Sequence, residues 1–194
     1  MRFIATTTKS LCWLFLLQKS AFAAVQNIDI LYVKLHAEMS AEPLLLKQPA
    51  DNKTLAGAKL AIEDSNTTGR FLKQHYQLTV VEDNNADGVI SQLKRLLSVQ
   101  EAPGTVLVDV PENAFNAVSE VIRGSGALVM NISSREDALR QSQCAEKVLH
   151  TVPSRAMLAD AMTQYLMSRR WREWFLVSGN SDGDKALASA LQRS

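Results

Sequence analysis

TVLVDVPENAFNAVSEVIRGSGALVMNISSRED, residues 105–137, is the stretch from which the fold class can be read. Thr105 to Val110 is almost continuously apolar, as strands buried on both faces of a parallel sheet are. Pro111-Glu112-Asn113 opens a helix whose Ala114, Phe115, Val118, Val121 and Ile122 fall on one side. Gly124-Ser125-Gly126 ends it, and Ala127 to Ile132 is a second apolar strand. Two strands joined by one helix form a parallel pair with a right-handed crossover.

The same alternation extends in both directions. Upstream, Ile28 to Leu35 and Tyr76 to Val81 read as strands. A helix from Leu55, ending near Asn66 to Gly69, joins them, after a loop at 38–53 that holds Pro43 and Pro49. Val89, Leu93, Leu96 and Leu97 mark another helix, closed by Pro103-Gly104. Downstream, Val148 to Val152 is a short strand. Pro153-Ser154 opens a helix with Leu158, Ala161, Met162, Tyr165 and Leu166 on its apolar side. Trp174 to Val177 reads as a strand, and Ser181 caps a final helix with Asp184 three residues on. The order βαβαβαβ predicts an α/β fold with a doubly wound parallel sheet. Residues 24–152 form a first lobe, and 153–194 read as the incomplete start of a second.

Composition sets the class. The chain has 194 residues, 46% hydrophobic and 21% charged, which suits a folded globular protein and not a disordered one. A net charge of +1 carries no basic excess for nucleic acid. The first 23 residues differ. Arg2 and Lys9 precede the apolar run Leu11 to Leu17, and Ala21-Phe22-Ala23 is a small-residue cleavage pattern. That is the layout of a secretory signal peptide cut after about Ala23, hence of an exported protein. Its removal takes away three basic residues and no acid, so the formal charge falls from +1 to −2. Cys144 alone then remains, unable to form an internal disulfide, and it is expected to be buried as a small apolar residue.

Chemistry of bond making is not legible. Gly124-Ser125-Gly126 precedes a strand, whereas a dinucleotide fingerprint follows one. His36, His75 and His150 have no metal-ligand spacing. Ser133 and Ser134 lack the nucleophile-elbow setting. No enzyme activity, cofactor or metal is therefore expected. Binding is a different matter. Ligands of open parallel sheets lodge beyond the carboxyl ends of the strands. Three polar loops leave those ends: Asp83 after the second strand, Pro111, Glu112 and Asn113 after the third, and Asn131, Ser133, Ser134 and Arg135 after the fourth. Such residues also cap helices in the absence of any ligand.

LAGAKLAIEDSN (55–66), YQLTVVEDN (76–84) and ALVMNISSREDAL (127–139) resemble the type I periplasmic solute-binding proteins of ABC transporters, with the branched-chain amino acid receptors nearest. The stretch from Val148 to Leu187 is similar to that family's crossing into its second lobe. VDVPENAFN (108–116), NISSREDALR (131–140) and HTVPSRAMLADA (150–161) resemble the branch found beside pyrroloquinoline-quinone-dependent alcohol dehydrogenase systems. The resemblance implies a periplasmic binding protein-like I fold of two lobes. It implies capture of a small-molecule ligand without bond chemistry, and delivery to an ABC permease at the inner membrane. The same fold can instead feed a sensing or interaction partner. One departure stands out: the third-strand loop of the amino-acid receptors is small and hydroxyl-rich, while here it carries Glu112, which would repel a carboxylate if it faced the ligand as a bare charge.

Overall fold

A computed structural model describes residues 24–36, 53–99 and 102–194. The proposed signal peptide and most of the 38–53 loop lie outside the described residues. Five strands, β1 (Gln26–Leu35), β2 (Gln74–Asp83), β3 (Thr105–Asp109), β4 (Leu128–Asn131) and β5 (Val148–His150), form one sheet in the order β2-β1-β3-β4-β5, every pair parallel. The doubly wound α/β fold expected from the sequence is the fold observed. Helices α1 (Lys53–Leu72), α2 (Ala86–Leu97) and α3 (Glu112–Gly124) make the first crossovers. A 3-10 turn, Asp137–Arg140, stands between β4 and β5, and α4 (Arg155–Ser168) and α5 (Asp182–Arg193) follow.

The chain order explains the layering. The β1-to-β2 step runs opposite to the later ones, so right-handed crossovers place α1 on one face and α2 and α3 on the other. The α2–α3 side is the main core, where Val89, Leu93, Phe115, Val118 and Ile122 meet the buried strand residues Leu31, Val33, Val106, Val108 and Val129. Its cross-strand row reads Val81, Val33, Val108, Asn131, His150. Three valines thus give way to a polar pair at the β4–β5 end. On the α1 face the adjacent row is Val80, Tyr32, Leu107, Met130, Leu149. Tyr32 is fully buried there and donates its hydroxyl to Asp109 Oδ2 at 2.6 Å. Burial and that carboxylate push the phenol well above its ordinary range.

Four details differ from the sequence reading. First, α1 runs on to Leu72, past the expected end at Asn66 to Gly69. Asn66 is not a terminator but a clamp on β2: its Nδ2 donates to Tyr76 O (2.9 Å) and its Oδ1 accepts from Tyr76 N (2.8 Å). Gly69 serves the same approach, because a Cβ there would meet Gln74 O at 2.6 Å. Second, residues 171–179 form no strand. Phe175 is 90% exposed and Val177 is also open to solvent. Strand propensity becomes a strand only where another strand takes up the backbone hydrogen bonds.

Third, of the stripe expected on α4 only Leu166 is buried. Ala159 and Leu166 are buried while Met162 and Tyr165 are exposed. The helix packs on α5 through Ala159, Ala190 and Leu191, with Leu176 alongside, a cluster separate from the main core. Fourth, Cys144 is exposed, since it falls in the turns between the 3-10 segment and β5. The end of α3 is as read. Gly126 adopts φ +85°, a left-handed conformation suited to glycine, and its N–H bonds Arg123 O.

Candidate ligand-binding site

β3 and β4 are adjacent and parallel, so their carboxyl ends deliver two loops side by side. Asn131, the last residue of β4, is fully buried and organises the second loop. Its Oδ1 accepts from Ser133 N (3.2 Å) and Ser134 N (2.9 Å), and its Nδ2 donates to Ser134 O (2.7 Å). Its Nδ2 also lies 2.9 Å from His150 Nδ1. An amide NH2 can only donate, so His150 Nδ1 must be the bare acceptor nitrogen. Asn131 is therefore a positioning residue, with its side chain fully engaged inside the protein. Ser133 Oγ donates to Val110 O (3.1 Å) and joins the loop to the end of β3.

Ser134 differs. It is 2% exposed and its Oγ is buried without a hydrogen-bond partner. A hydroxyl in that state carries a desolvation cost that a bound molecule would relieve. Beside the loop, α3 starts at Glu112 with Pro111 as its cap, and proline supplies no side-chain acceptor for the first-turn N–H groups. Asn113 follows on that turn, exposed.

Glu112 is not the bare charge the sequence suggested. Arg155 Nη2 lies 2.6 and 2.5 Å from its two carboxylate oxygens, and Arg155 Nη1 lies 3.1 Å from Glu136 Oε2. Burial would lower the Arg155 pKa, but the bond and charge of Glu112, with Glu136, hold it above the ordinary value. The guanidinium stays charged, and Glu112 stands at the rim as half of an ion pair and not as a bare charge. Backbone contacts tighten the junction. Arg155 N donates to Arg135 O (3.0 Å), and Asp137 Oδ1 accepts from Ala156 N (2.9 Å) at the start of α4. Arg140 bonds Val152 O just before the crossing to α4. The Arg135 side chain is exposed.

The structure thus brings together Pro111, Glu112, Asn113, Asn131, Ser133, Ser134 and Arg135. Asp83 stands apart. Its strand is two places from β3, about 10 Å across the sheet at ordinary strand spacing. Its carboxylate is engaged at the start of α2, accepting from Asn85 N (3.0 Å) and Gln92 Nε2 (3.2 Å). Arg155, Glu136 and His150 were not legible as members. Arg155 did leave a trace, since a cation in the first turn of a helix opposes the helix dipole and calls for nearby carboxylates. A cavity of about 250 Å³ lies elsewhere, behind α3, lined by Phe115, Ser119, Arg123 and Leu139 among others.

The His150 pairing has a pH signature. Burial and then the Arg140 charge lower its pKa below the usual 6.5, against a hydrogen bond to the Leu139 backbone that raises it. The unfolded chain therefore takes up a proton that the folded one resists. Stability is expected to be level above about pH 6.5 and to fall as pH drops through the folded pKa below it. His150→Gln should flatten that fall, read as the difference in thermal midpoint between pH 7.5 and pH 5, conditions about one unit or more either side of the ordinary histidine value.

Residues 48–194 match the family of periplasmic binding proteins. The chain belongs to that family. Among functionally curated proteins none matches it. Solved structures agree on the fold of this periplasmic binding protein. An ABC transporter substrate-binding protein from Desulfitobacterium hafniense superposes with a TM-score of 0.67 at 14% identity, covering 87% of this chain and 46% of its own. A structure of such a protein from the same organism in complex with Leu gives 0.63 at 13% identity, with the same coverage. A periplasmic binding protein from Burkholderia mallei gives 0.61 at 14% identity, covering 87% of this chain and 43% of its own. The chain thus spans less than half the length of these structures. Among the described residues no helix is long and apolar enough to cross a membrane.

Proposed function

We propose that the protein is the exported solute-binding component of an ABC-type transport system, working in the periplasm after loss of residues 1–23. In this reading a small polar metabolite is captured between two lobes and passed to a permease at the inner membrane, with no bond chemistry. Residues 24–152 are the first lobe and 153–194 begin the second. Pro111, Glu112, Asn113, Ser133, Ser134 and Arg135 form the first lobe's side of the site, with Asn131 behind them. The narrower resemblance to the branch beside pyrroloquinoline-quinone-dependent alcohol dehydrogenases adds alcohol-derived compounds to the candidate ligands.

The observation that carries this reading is the buried, partnerless Ser134 hydroxyl at the carboxyl edge of β4, next to an α3 start whose cap offers no side-chain acceptor. Both suit an oxygen atom of a ligand, and the Ser134 hydroxyl makes no hydrogen bond within the fold. Ser134→Ala is therefore expected to leave stability within about 0.5 kcal/mol while weakening ligand binding about tenfold. Calorimetry with a panel of organic acids, amino acids and alcohols reads the affinity, and denaturant titration the stability. No heat and no thermal shift with any member of the panel would sink the proposal.

A further inference from the structure

We propose that Arg155 sets the charge of the ligand, so that the rim takes uncharged polar molecules in preference to both amines and carboxylates. This rests on the reading of the rim as the ligand site. Glu112 has both oxygens within 2.6 Å of one Arg155 nitrogen. An incoming ammonium would have to displace a guanidinium whose side chain is only 12% exposed. An incoming carboxylate would meet a cation already shared by Glu112 and Glu136, with Asp137 on the next backbone N–H. A further anion there would add its charge to carboxylates that already surround the one guanidinium, and would be repelled by them. Two neutral features remain: the Ser134 hydroxyl and the N–H groups of Glu112 and Asn113 at the start of α3, Ala114 N being taken by Pro111 O. They suit a hydroxyl or carbonyl oxygen that brings no net charge. Arg155 does not come from the strand-end loops themselves. It reaches them from the first turn of α4, so the element after the crossing tunes the electrostatics of the loops before it.

The test uses three probes of one carbon skeleton: propylene glycol, lactate and isopropanolamine, which is protonated at neutral pH. Saturation-transfer NMR reads their binding to the protein, to Arg155→Gln and to the Glu112→Gln/Glu136→Gln double variant. The unaltered protein should favour propylene glycol. Arg155→Gln uncovers two carboxylates, so isopropanolamine should gain about tenfold and lactate should weaken. The double variant frees the guanidinium, so lactate should gain about tenfold instead. If propylene glycol binds and neither variant changes the ranking, the role of Arg155 is overturned and the site reading stands. A first rank for lactate or isopropanolamine on the unaltered protein overturns it equally. If no probe binds any of the three folded proteins, the site reading fails and takes the inference with it. Should Arg155→Gln not fold, the double variant is the independent arm, with a gain for lactate supporting the role of Arg155 and an unchanged ranking overturning it.

Discussion

Asn131→Ala is expected to destabilise the protein by about 3 kcal/mol, more than a surface change and as much as a core deletion. The side chain is fully buried and holds two backbone N–H groups, one backbone carbonyl and one imidazole nitrogen. Alanine leaves all four without their partner, in a row that otherwise continues into Val108 and Val33. Each buried orphan costs about 1–3 kcal/mol, and partial rehydration of the loop limits the sum. Denaturant unfolding measures the total, and hydrogen exchange at Ser133 and Ser134 should accelerate first, since their amides depend on Asn131 Oδ1. A loss below about 1 kcal/mol would mean that the loop is held by Ser133 and Val110 alone, with Asn131 incidental.

Phe115→Ala should cost about 3–5 kcal/mol, the range for removing a buried aromatic ring. Phe115 is 1% exposed, packed among Val118, Leu139 and the strand residues of the main core. It also lines the cavity behind α3, so deletion enlarges an existing space that cannot collapse without moving α3. The comparison that isolates the cause is Phe175→Ala. The same atoms are removed from a ring that is 90% exposed, and the change should stay within about 0.5 kcal/mol. Thermal midpoints of the two variants, taken side by side, test whether burial or residue type decides. Because Glu112 begins the helix that Phe115 anchors, the core variant should weaken binding at the rim as well.

How much of this was readable in advance varied with the range of the interaction. Val106, Val108 and Val129 were read as buried strand residues because parallel strands covered on both faces must be apolar throughout. The stripe of α3 follows from spacing: Ala114, Phe115, Val118 and Ile122 are buried, Val121 is only partly so, and Ser119 is buried beside them without being legible. Where a short-range signal met a long-range partner, the reading failed. Asn66 looked like a helix stop because asparagine favours helix ends, yet its amide bonds an adjacent strand and the helix passes it by. Trp174 to Val177 has strand composition without a strand beside it. Met162 and Tyr165 have helical spacing, but the helix that α4 meets lies on a different side.

The site divides in the same way. Glu112 and Ser134 follow neighbouring strand ends, so the loops that meet at the rim were legible from element order alone. Roles within the rim were not. Asn131 and Ser134 are both short polar residues of one loop; only coordinates distinguish the one whose groups are all engaged from the one whose hydroxyl is not. Asp83 leaves a strand end as Glu112 does, but strand order separates it from the others by the width of β1. Alternating apolar runs, set by periods of two and 3.6 residues that any chain must obey, determined the parallel α/β architecture from the sequence by itself. The pairing of Glu112 with Arg155, 43 positions later, was decided only by tertiary structure, because which charge meets which depends on how α4 is brought back against the strand ends.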